Sequence, residues 1–215
     1  MNIYLLRHGE TNANKEGRIQ GRVDIPLNEY GIELACITRD GVRKEGIVFD
    51  KIYSSPLIRA VQTATIVKGD MELHQITLDD RIVEMGFGKC ESMLIRDIKE
   101  NDENINIRRC FTAPSQYIAK DGAESYEEIL ARAKDFLENE IKPLEGKYEN
   151  VLVVCHGAMI RALLLAVNGW DIDRYWEIHQ PNCCMNRLTL EDGEFAISYI
   201  EKIYYEADVT AKGIL

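Results

Sequence analysis

An arginine and a histidine stand side by side after an apolar stretch at the start of the chain. They are Arg7 and His8, followed by Gly9, and they come directly after the apolar residues 3–6. Such a run predicts a buried strand over 2–6, which places the two side chains at a strand end. A guanidinium next to an imidazole combines a permanent cation with a candidate nucleophile, and Gly9 lets a ligand or another backbone come close. This combination suits the handling of a phosphate group.

Two later segments repeat the arrangement of a strand followed by a basic residue. Residues 51–54 predict a second strand, and Arg59 lies in the first turn of the helix expected after it. Residues 151–155 are a continuous apolar run, typical of a strand buried on both faces, and His156 follows directly. Parallel strands end at one edge of a sheet, beside helix N-termini, where ligands bind. The side chains expected at this shared rim are Arg7, His8, Arg59 and His156.

The elements that position these residues alternate between helix and strand. The expected fold is α/β, a three-layer sandwich with a mostly parallel central sheet and helices on both faces. Ser55 and Pro56 predict a helix start, as N-cap and first residue, and Ser125 opens a capping box. Helices are expected over 28–44, 57–67, 125–141 and 160–167, and a hairpin over 186–190 and 195–203.

The length of the chain favours one domain. Its 215 residues are expected to fold as a single unit over 1–215, with an inserted segment at about 92–122 that forms a small cap. No internal repeat or linker interrupts the sequence. The cap segment has the least regular pattern, so the sequence does not predict its shape.

Charge and cysteine content narrow the class of function. The formal net charge of −10 argues against nucleic acid or an anionic membrane as a partner, since both need a basic surface. A few arginines in a cleft still allow a small anionic substrate. The six cysteines contain no CxxC pair, which predicts reduced thiols in a cytoplasmic protein. The chain starts with a strand pattern rather than a signal peptide, and no apolar run is long enough to span a bilayer.

Four blocks of sequence, in order, resemble the histidine phosphatase superfamily in its phosphoglycerate-mutase-like branch. They contain residues 6–27 with the Arg7-His8-Gly9 motif, 54–64 with Arg59, 84–88 with Glu84, and 155–161 with His156. One such tripeptide alone is a weak signal, whereas four ordered blocks over 6–161 are specific.

The resemblance implies a role for each residue. His8 would form a phosphohistidine, Arg7, Arg59 and His156 would clamp the phosphoryl group, and Glu84 would donate and accept protons. Glu91 lies close to Glu84 in sequence and is the competing candidate for the acid. The positions implied as further phosphate contacts are Asn14, Gln20, Gly21, Gly157 and Ala158.

The activity expected from this resemblance is that of a metal-independent acid or broad-specificity phosphatase, with no cofactor and no metal ligands. Its substrate would be a small phosphorylated metabolite. The short segment between Glu84 and Ser125 favours a phosphatase over a phosphoglycerate mutase, since a small cap excludes water less well. The mutase is the main alternative, and a non-catalytic phosphate-binding protein is a further one. The sequence leaves the oligomeric state open, a homodimer included.

Overall fold

The computed structural model describes residues 1–69, 75–98 and 105–206. Within these ranges a central sheet contains β1 (Asn2–Arg7), β2 (Lys51–Ser54), β3 (Ile76–Leu78), β4 (Asn150–Cys155), β5 (Met185–Glu191) and β6 (Glu194–Lys202). The strands lie in the order β3-β2-β4-β1-β5-β6. The first four of these are mutually parallel, while β5 and β6 form an antiparallel hairpin on one side.

Helices cover both faces of this sheet. They are α1 (Asn12–Glu16), α2 (Glu29–Lys44), α3 (Ile58–Lys68), α4 (Ile105–Thr112), α5 (Tyr126–Phe136) and α6 (Gly157–Asn168). Alternate residues of β1 belong to two separate cores. Ile3 and Leu5 share one core with residues of α5 and α6, whereas Tyr4 and Leu6 share the other with residues of α2 and α3. The expected three-layer α/β fold with a mostly parallel sheet is confirmed.

The strand β4 lies at the middle of the parallel region and brings the candidate residues together. Its residues from Val151 to Cys155 are fully buried, and it pairs with both β1 and β2. Beyond the strand ends, the backbone N–H of His8 donates to the carbonyl of Cys155 at 3.0 Å, and that of Ser55 donates to Val154 at 2.9 Å. The residues that follow these three strands therefore share one edge, as the sequence predicts.

The helix after β2 begins later than expected, so the prediction of Ser55 as its N-cap and Pro56 as its first residue is wrong. The helix α3 starts at Ile58. The Ser55 hydroxyl lies 2.7 Å from Nε2 of His156, and Oδ1 of Asp24 accepts the Ile58 N–H at 2.6 Å. A carboxylate from a distant loop thus caps this helix, which the local sequence does not reveal.

Most other elements agree with their sequence patterns. The helix over 28–44, the capping box at Ser125 and the hairpin across Asp192 and Gly193 are confirmed. After α5, the helical run continues as a π-helical turn to Ile141. The helix after β4 starts at Gly157 rather than at 160. The sequence does not predict α1, β3 or α4, which are short and depend on tertiary contacts for their stability.

Gly9 is a point of close contact between backbones. A Cβ on Gly9 would lie 2.4 Å from the carbonyl oxygen of Gly31 in α2, and a Cβ on Gly31 would lie 2.1 Å from that of Glu10. The N–H of Gly9 also donates to Oγ1 of Thr63 in α3 at 3.0 Å. The expectation that Gly9 admits another backbone is confirmed, and the contact fixes the loop after His8 against two helices.

Part of the segment 92–122, residues 99–104, lies outside the described residues. The described part touches the region before β5, since the carbonyl of Cys110 accepts a hydrogen bond from Nε1 of Trp176 at 2.6 Å. It also touches the loop after α1, where the N–H of Ile95 donates to the carbonyl of Gly17 at 2.9 Å. In the described ranges, no helix has the length and apolar character needed to cross a membrane.

Candidate active site

A cleft of about 90 Å³ opens at the carboxyl edge of the sheet. Pockets for drug-sized ligands measure roughly 300–1,000 Å³, so this one favours a small ligand. The sequence-predicted residues that line it are Arg7, His8, Asn14, Gln20, Gly21, Arg59, Glu84, Gly157 and Ala158. His156 lies behind this lining and next to His8, with ring centroids 5.1 Å apart.

His8 is a buried, neutral imidazole. It is 2% exposed, and its Nδ1 lies 2.7 Å from the carbonyl oxygen of Gly9. Because a carbonyl oxygen only accepts hydrogen bonds, the ring hydrogen is on Nδ1, and Nε2 carries a lone pair. Burial, together with the charges of Arg59 and Arg7, lowers the pKa of His8 well below its ordinary value. Nε2 is therefore the ring nitrogen with a free lone pair, a choice that the sequence left open.

His156 is a neutral donor oriented by Ser55. Burial and the charge of Arg59 lower the pKa of His156 well below its ordinary value. Oγ of Ser55 accepts the N–H of Leu57 at 3.3 Å and lies 2.7 Å from Nε2 of His156. The direction of the second contact depends on the His156 tautomer, and we assign the Ser55 hydroxyl as the donor to Nε2. The ring hydrogen is then on Nδ1, which is buried and has no partner among the described residues. This N–H is a donor for a ligand.

Backbone carbonyls anchor the two predicted arginines. Arg59 donates from Nη1 to Val23 at 2.7 Å and from Nη2 to Gly21 at 2.8 Å. Arg7 donates from Nη1 to the carbonyl of Gln180. Burial lowers the pKa of both arginines, that of Arg59 to about 10. Guanidinium groups stay protonated in proteins, so both are cationic. In each, Nε is buried without a partner in the described part of the chain, which leaves a charged donor for an anion.

The carboxylate of Glu84 is bound by the first backbone amides of α6. Its Oε1 accepts the N–H groups of Met85 at 2.8 Å and Met159 at 3.2 Å, and its Oε2 accepts that of Ala158 at 3.3 Å. The Ala158 amide, which the sequence assigns to phosphate, thus binds Glu84 in this structure. Because Oε2 has the single, longer hydrogen bond, it is the oxygen more available for proton exchange.

A buried ion pair fixes the loop that carries Glu84. Arg132 donates from Nε and Nη2 to the two carboxylate oxygens of Glu124, at 2.7 and 2.9 Å. The same guanidinium binds the carbonyls of Val83 at 2.6 Å and Glu84 at 3.2 Å. Glu124 in turn accepts the N–H of Gly86 at 3.1 Å. Charge-assisted bonds on both sides of Glu84 therefore determine where its carboxylate lies.

The other candidate for the acid, Glu91, binds backbone amides and stabilises the loop. Its Oε1 accepts the backbone N–H groups of Arg22 and Phe87, each at 3.0 Å. A Cβ on Gly21 would lie 2.1 Å from the same oxygen, so Gly21 allows the carboxylate to pack against the loop. Gly21 contributes to the site because its carbonyl accepts a hydrogen bond from Arg59. Of the two carboxyl groups, Glu84 is the one that lines the cleft.

Asn14 and Gln20 meet at Thr11. Oδ1 of Asn14 accepts the backbone N–H of Thr11 at 3.2 Å, and Oε1 of Gln20 lies 2.8 Å from its hydroxyl. Because the two amide oxygens are engaged in this way, their NH₂ groups are the donors left for an anion. Both side chains line the cleft beside His8.

The model of the histidine phosphatase superfamily (branch 1) matches residues 3–202, which include every candidate side chain described above. The chain belongs to this superfamily. The resemblance seen in the four sequence blocks is therefore confirmed, and the cleft belongs to an enzyme of the histidine phosphatase type.

Relatives of this histidine phosphatase include phosphatases and a mutase. It is 30% identical over 190 residues to phosphoserine phosphatase 1 of Hydrogenobacter thermophilus, with 88% of this chain and 87% of the relative covered. It is 30% identical over 174 residues to a 2,3-bisphosphoglycerate-dependent phosphoglycerate mutase of Parvibaculum lavamentivorans, with 77% and 79% covered. The crystal structure of a phosphoserine phosphatase mutant from Entamoeba histolytica, in complex with phosphoserine, matches with a TM-score of 0.80. That match has 26% identity and covers 94% of this chain and 96% of the other.

Sequence reasoning missed three residues of this histidine phosphatase site. Ser55 was expected to cap a helix but orients His156. Arg132 acts on a loop that is 48 residues away in sequence, so no local pattern indicates it. Arg161 lines the cleft and stands four residues after Gly157, on the same face of α6. That spacing from a strand-end glycine is the signal that identifies Arg161.

Because His8 and His156 are buried as neutral imidazoles, the folded protein is expected to lose stability at acidic pH. Both stay neutral in the folded chain, whereas in the unfolded chain each takes up a proton below about pH 6.5. We expect the free energy of unfolding to fall by about 1.4 kcal/mol per histidine for each pH unit below that value. Urea unfolding in phosphate-free buffer at pH 7.5, 6.5 and 5.5 measures this.

Matched variants for this measurement distinguish the two buried histidines from an exposed histidine, His179. His8→Asn combined with His156→Asn is expected to remove most of the pH dependence, whereas His179→Asn is expected to retain it. An equal slope in the double variant and the wild type contradicts the assignment of two neutral imidazoles.

Proposed function

We propose that this histidine phosphatase hydrolyses small phosphomonoesters through a phosphohistidine at Nε2 of His8. One observation carries the proposal: the neutral His8 is surrounded by three buried nitrogens that have no partner among the described residues. These are Nε of Arg7, Nε of Arg59 and Nδ1 of His156. Buried N–H donors without partners are costly, so their convergence beside a nucleophile supports a site for an anionic group.

In the first step the lone pair of His8 Nε2 forms a bond to phosphorus while the ester P–O bond breaks. The leaving oxygen takes a proton from the carboxyl group of Glu84, through Oε2. Arg7, Arg59 and His156 donate hydrogen bonds to the phosphoryl oxygens, where negative charge is spread in the transition state. Such fixed donors supply charge stabilisation from the protein itself, and in the described ranges no cluster of three or more His, Cys, Asp or Glu side chains is arranged to hold a metal ion.

In the second step water attacks phosphorus and the P–N bond breaks. Glu84, now a carboxylate, accepts the proton from the water and returns to its acid form as phosphate leaves. One residue thus serves both steps, first as acid and then as base. Glu84 is suited to this because α6 and the Arg132–Glu124 pair fix its position beside the cleft.

The phosphatase is favoured over the mutase by the short segment between Glu84 and Ser125 and by the solved phosphoserine phosphatase structure that matches 94% of this chain. Coverage by the curated relatives does not separate the two activities, since phosphoserine phosphatase 1 matches 88% of this chain and a probable phosphoglycerate mutase of Yersinia pestis matches 92%. The names of these relatives and the small cleft favour a compact substrate of the phosphoserine type. The six free cysteines support a reducing, cytoplasmic setting, and burial raises the pKa of the Cys155 thiol next to the site, which makes it unreactive.

Removal of the nucleophile is the direct test of this function. His8→Ala is expected to lower the rate of phosphate release from p-nitrophenyl phosphate by at least about a thousandfold, because no other group forms the covalent intermediate. His179→Ala, at an exposed histidine, is the matched control and is expected to retain wild-type activity.

Two results would contradict the phosphatase proposal. One is retention of phosphate release by His8→Ala. The other is interconversion of 2- and 3-phosphoglycerate, with 2,3-bisphosphoglycerate present, at a rate well above that of phosphate release. The second result favours the mutase.

The acid role of Glu84 predicts a dependence on the leaving group. In single-turnover experiments, Glu84→Gln is expected to slow the first step with phosphoserine by about 100- to 10,000-fold, since an alkoxide needs a proton to leave. With p-nitrophenyl phosphate the slowing is expected to be much smaller, because nitrophenolate leaves unprotonated. Glu91→Gln, in the neighbouring structural carboxylate, controls for disturbance of the loop. Equal slowing with both substrates would refute the acid role.

A further inference from the structure

Arg161 is a buried cation of the cleft that has no function in the proposed phosphoryl transfer. Arg161 is 2% exposed and stands on α6 one turn after Gly157. Its Nε donates to the carbonyl of Ile178 at 2.9 Å, and its guanidinium lies 4.7 Å from the ring centroid of Trp176. Burial lowers the pKa of Arg161 to about 10, so it is still charged at neutral pH. The side chain is therefore a fixed cation rather than a mobile surface group.

The terminal nitrogens of Arg161 have no hydrogen-bond partner in the described part of the chain, although the residue lines the cleft. Nη1 lies 3.2 Å from the point where a Cβ on Gly157 would sit, and Nε of Arg7 lies 3.5 Å from that point. Arg161 is thus the neighbour of the phosphoryl clamp, on the side where the Trp176 ring lies.

Among the described residues, no carboxylate forms a hydrogen bond or ion pair with Arg161, and the carboxylate whose charge acts on it is that of Glu84. Aromatic rings extend from its partner Trp176, with Phe111 4.9 Å from Trp176 and Phe87 5.8 Å from Phe111, as ring centroids. Arg18 also lines the cleft, but it is paired with Glu16 at 2.6 Å. When Glu84 is in its acid form, a partner anion for Arg161 comes with the substrate.

The balance of charges in the cleft also favours an anionic group of the substrate beside Arg161. A phosphoryl dianion is balanced by Arg7 and Arg59, and Glu84 is uncharged when it is ready to protonate the leaving group. Arg161 is then the unmatched cation, and a buried charge without a partner is costly. The planar guanidinium edge fits a carboxylate through two parallel hydrogen bonds.

We propose that Arg161 binds a carboxylate carried by the leaving group, so that this enzyme selects phosphomonoesters of carboxylic acids. The assignment rests on the proposed phosphatase function. It makes Arg161 a specificity-determining residue that contacts the part of the substrate released in the first step.

The test compares two substrates that differ by one carboxylate, O-phosphoserine and O-phosphoethanolamine. The ratio of their kcat/KM values is measured in a single enzyme preparation, so the fraction of folded enzyme cancels. We expect the wild type to favour phosphoserine by about 10- to 100-fold, the effect of one charge-assisted bidentate pair. Arg161→Met is expected to bring this ratio close to one.

Two further variants keep the test independent of folding. Arg161→Lys retains the cation without the planar fork and is expected to give an intermediate ratio. Arg174→Met is the matched control, since Arg174 also lies over a tryptophan ring, that of Trp170, but is exposed. It is expected to leave the wild-type ratio unchanged.

Two outcomes overturn the assignment while leaving the phosphatase intact. One is a wild-type ratio near one with clear hydrolysis of p-nitrophenyl phosphate. The other is an equal loss on both substrates in Arg161→Met, which would make Arg161 part of the phosphoryl clamp. Absence of hydrolysis with all three phosphate esters contradicts the proposed function itself.

Discussion

The site depends on the burial of cationic arginines beside neutral imidazoles. Burying a guanidinium is costly unless its donors are satisfied, and here backbone carbonyls satisfy only part of Arg7 and Arg59. The remaining Nε donors have no partner among the described residues, and we propose that an anionic substrate supplies one. The same cations, together with burial, depress the pKa values of His8 and His156, so the nucleophile keeps its lone pair. In the proposed mechanism, one electrostatic arrangement therefore both binds the phosphoryl group and prepares the residue that attacks it.

The sheet makes this arrangement possible because three parallel strands end at one edge. The register of β1 with β4 places His8 beside Cys155, so that the two histidines meet across a single pair of strands. Helix α6 then begins immediately, and the backbone amides of Ala158 and Met159 in its first turn donate to Glu84. The acid is consequently positioned by the same strand end that supplies His156.

The sequence predicts the parts of this site that rest on local patterns. Apolar runs followed by Arg7, His8 and His156 show which side chains stand at strand ends, and parallel pairing brings them together. Contacts between distant segments leave no such pattern. The cap of α3 by Asp24 and the role of Ser55 depend on loops that meet only in the fold. The same holds for Arg132, whose importance follows from the carbonyls it reaches and not from its neighbours in sequence.

In the proposed mechanism phosphorus is transferred to Nε2 of His8, and identification of the phosphorylated nitrogen checks this step. The enzyme is quenched at alkaline pH during turnover of an aryl phosphate, and the phosphorylated nitrogen is identified by correlation of ³¹P with the imidazole protons. The account predicts a single phosphohistidine at His8, with phosphorus on Nε2, because Nδ1 donates its hydrogen to Gly9. Phosphorus on Nδ1 of His8, or on any other residue, would contradict it.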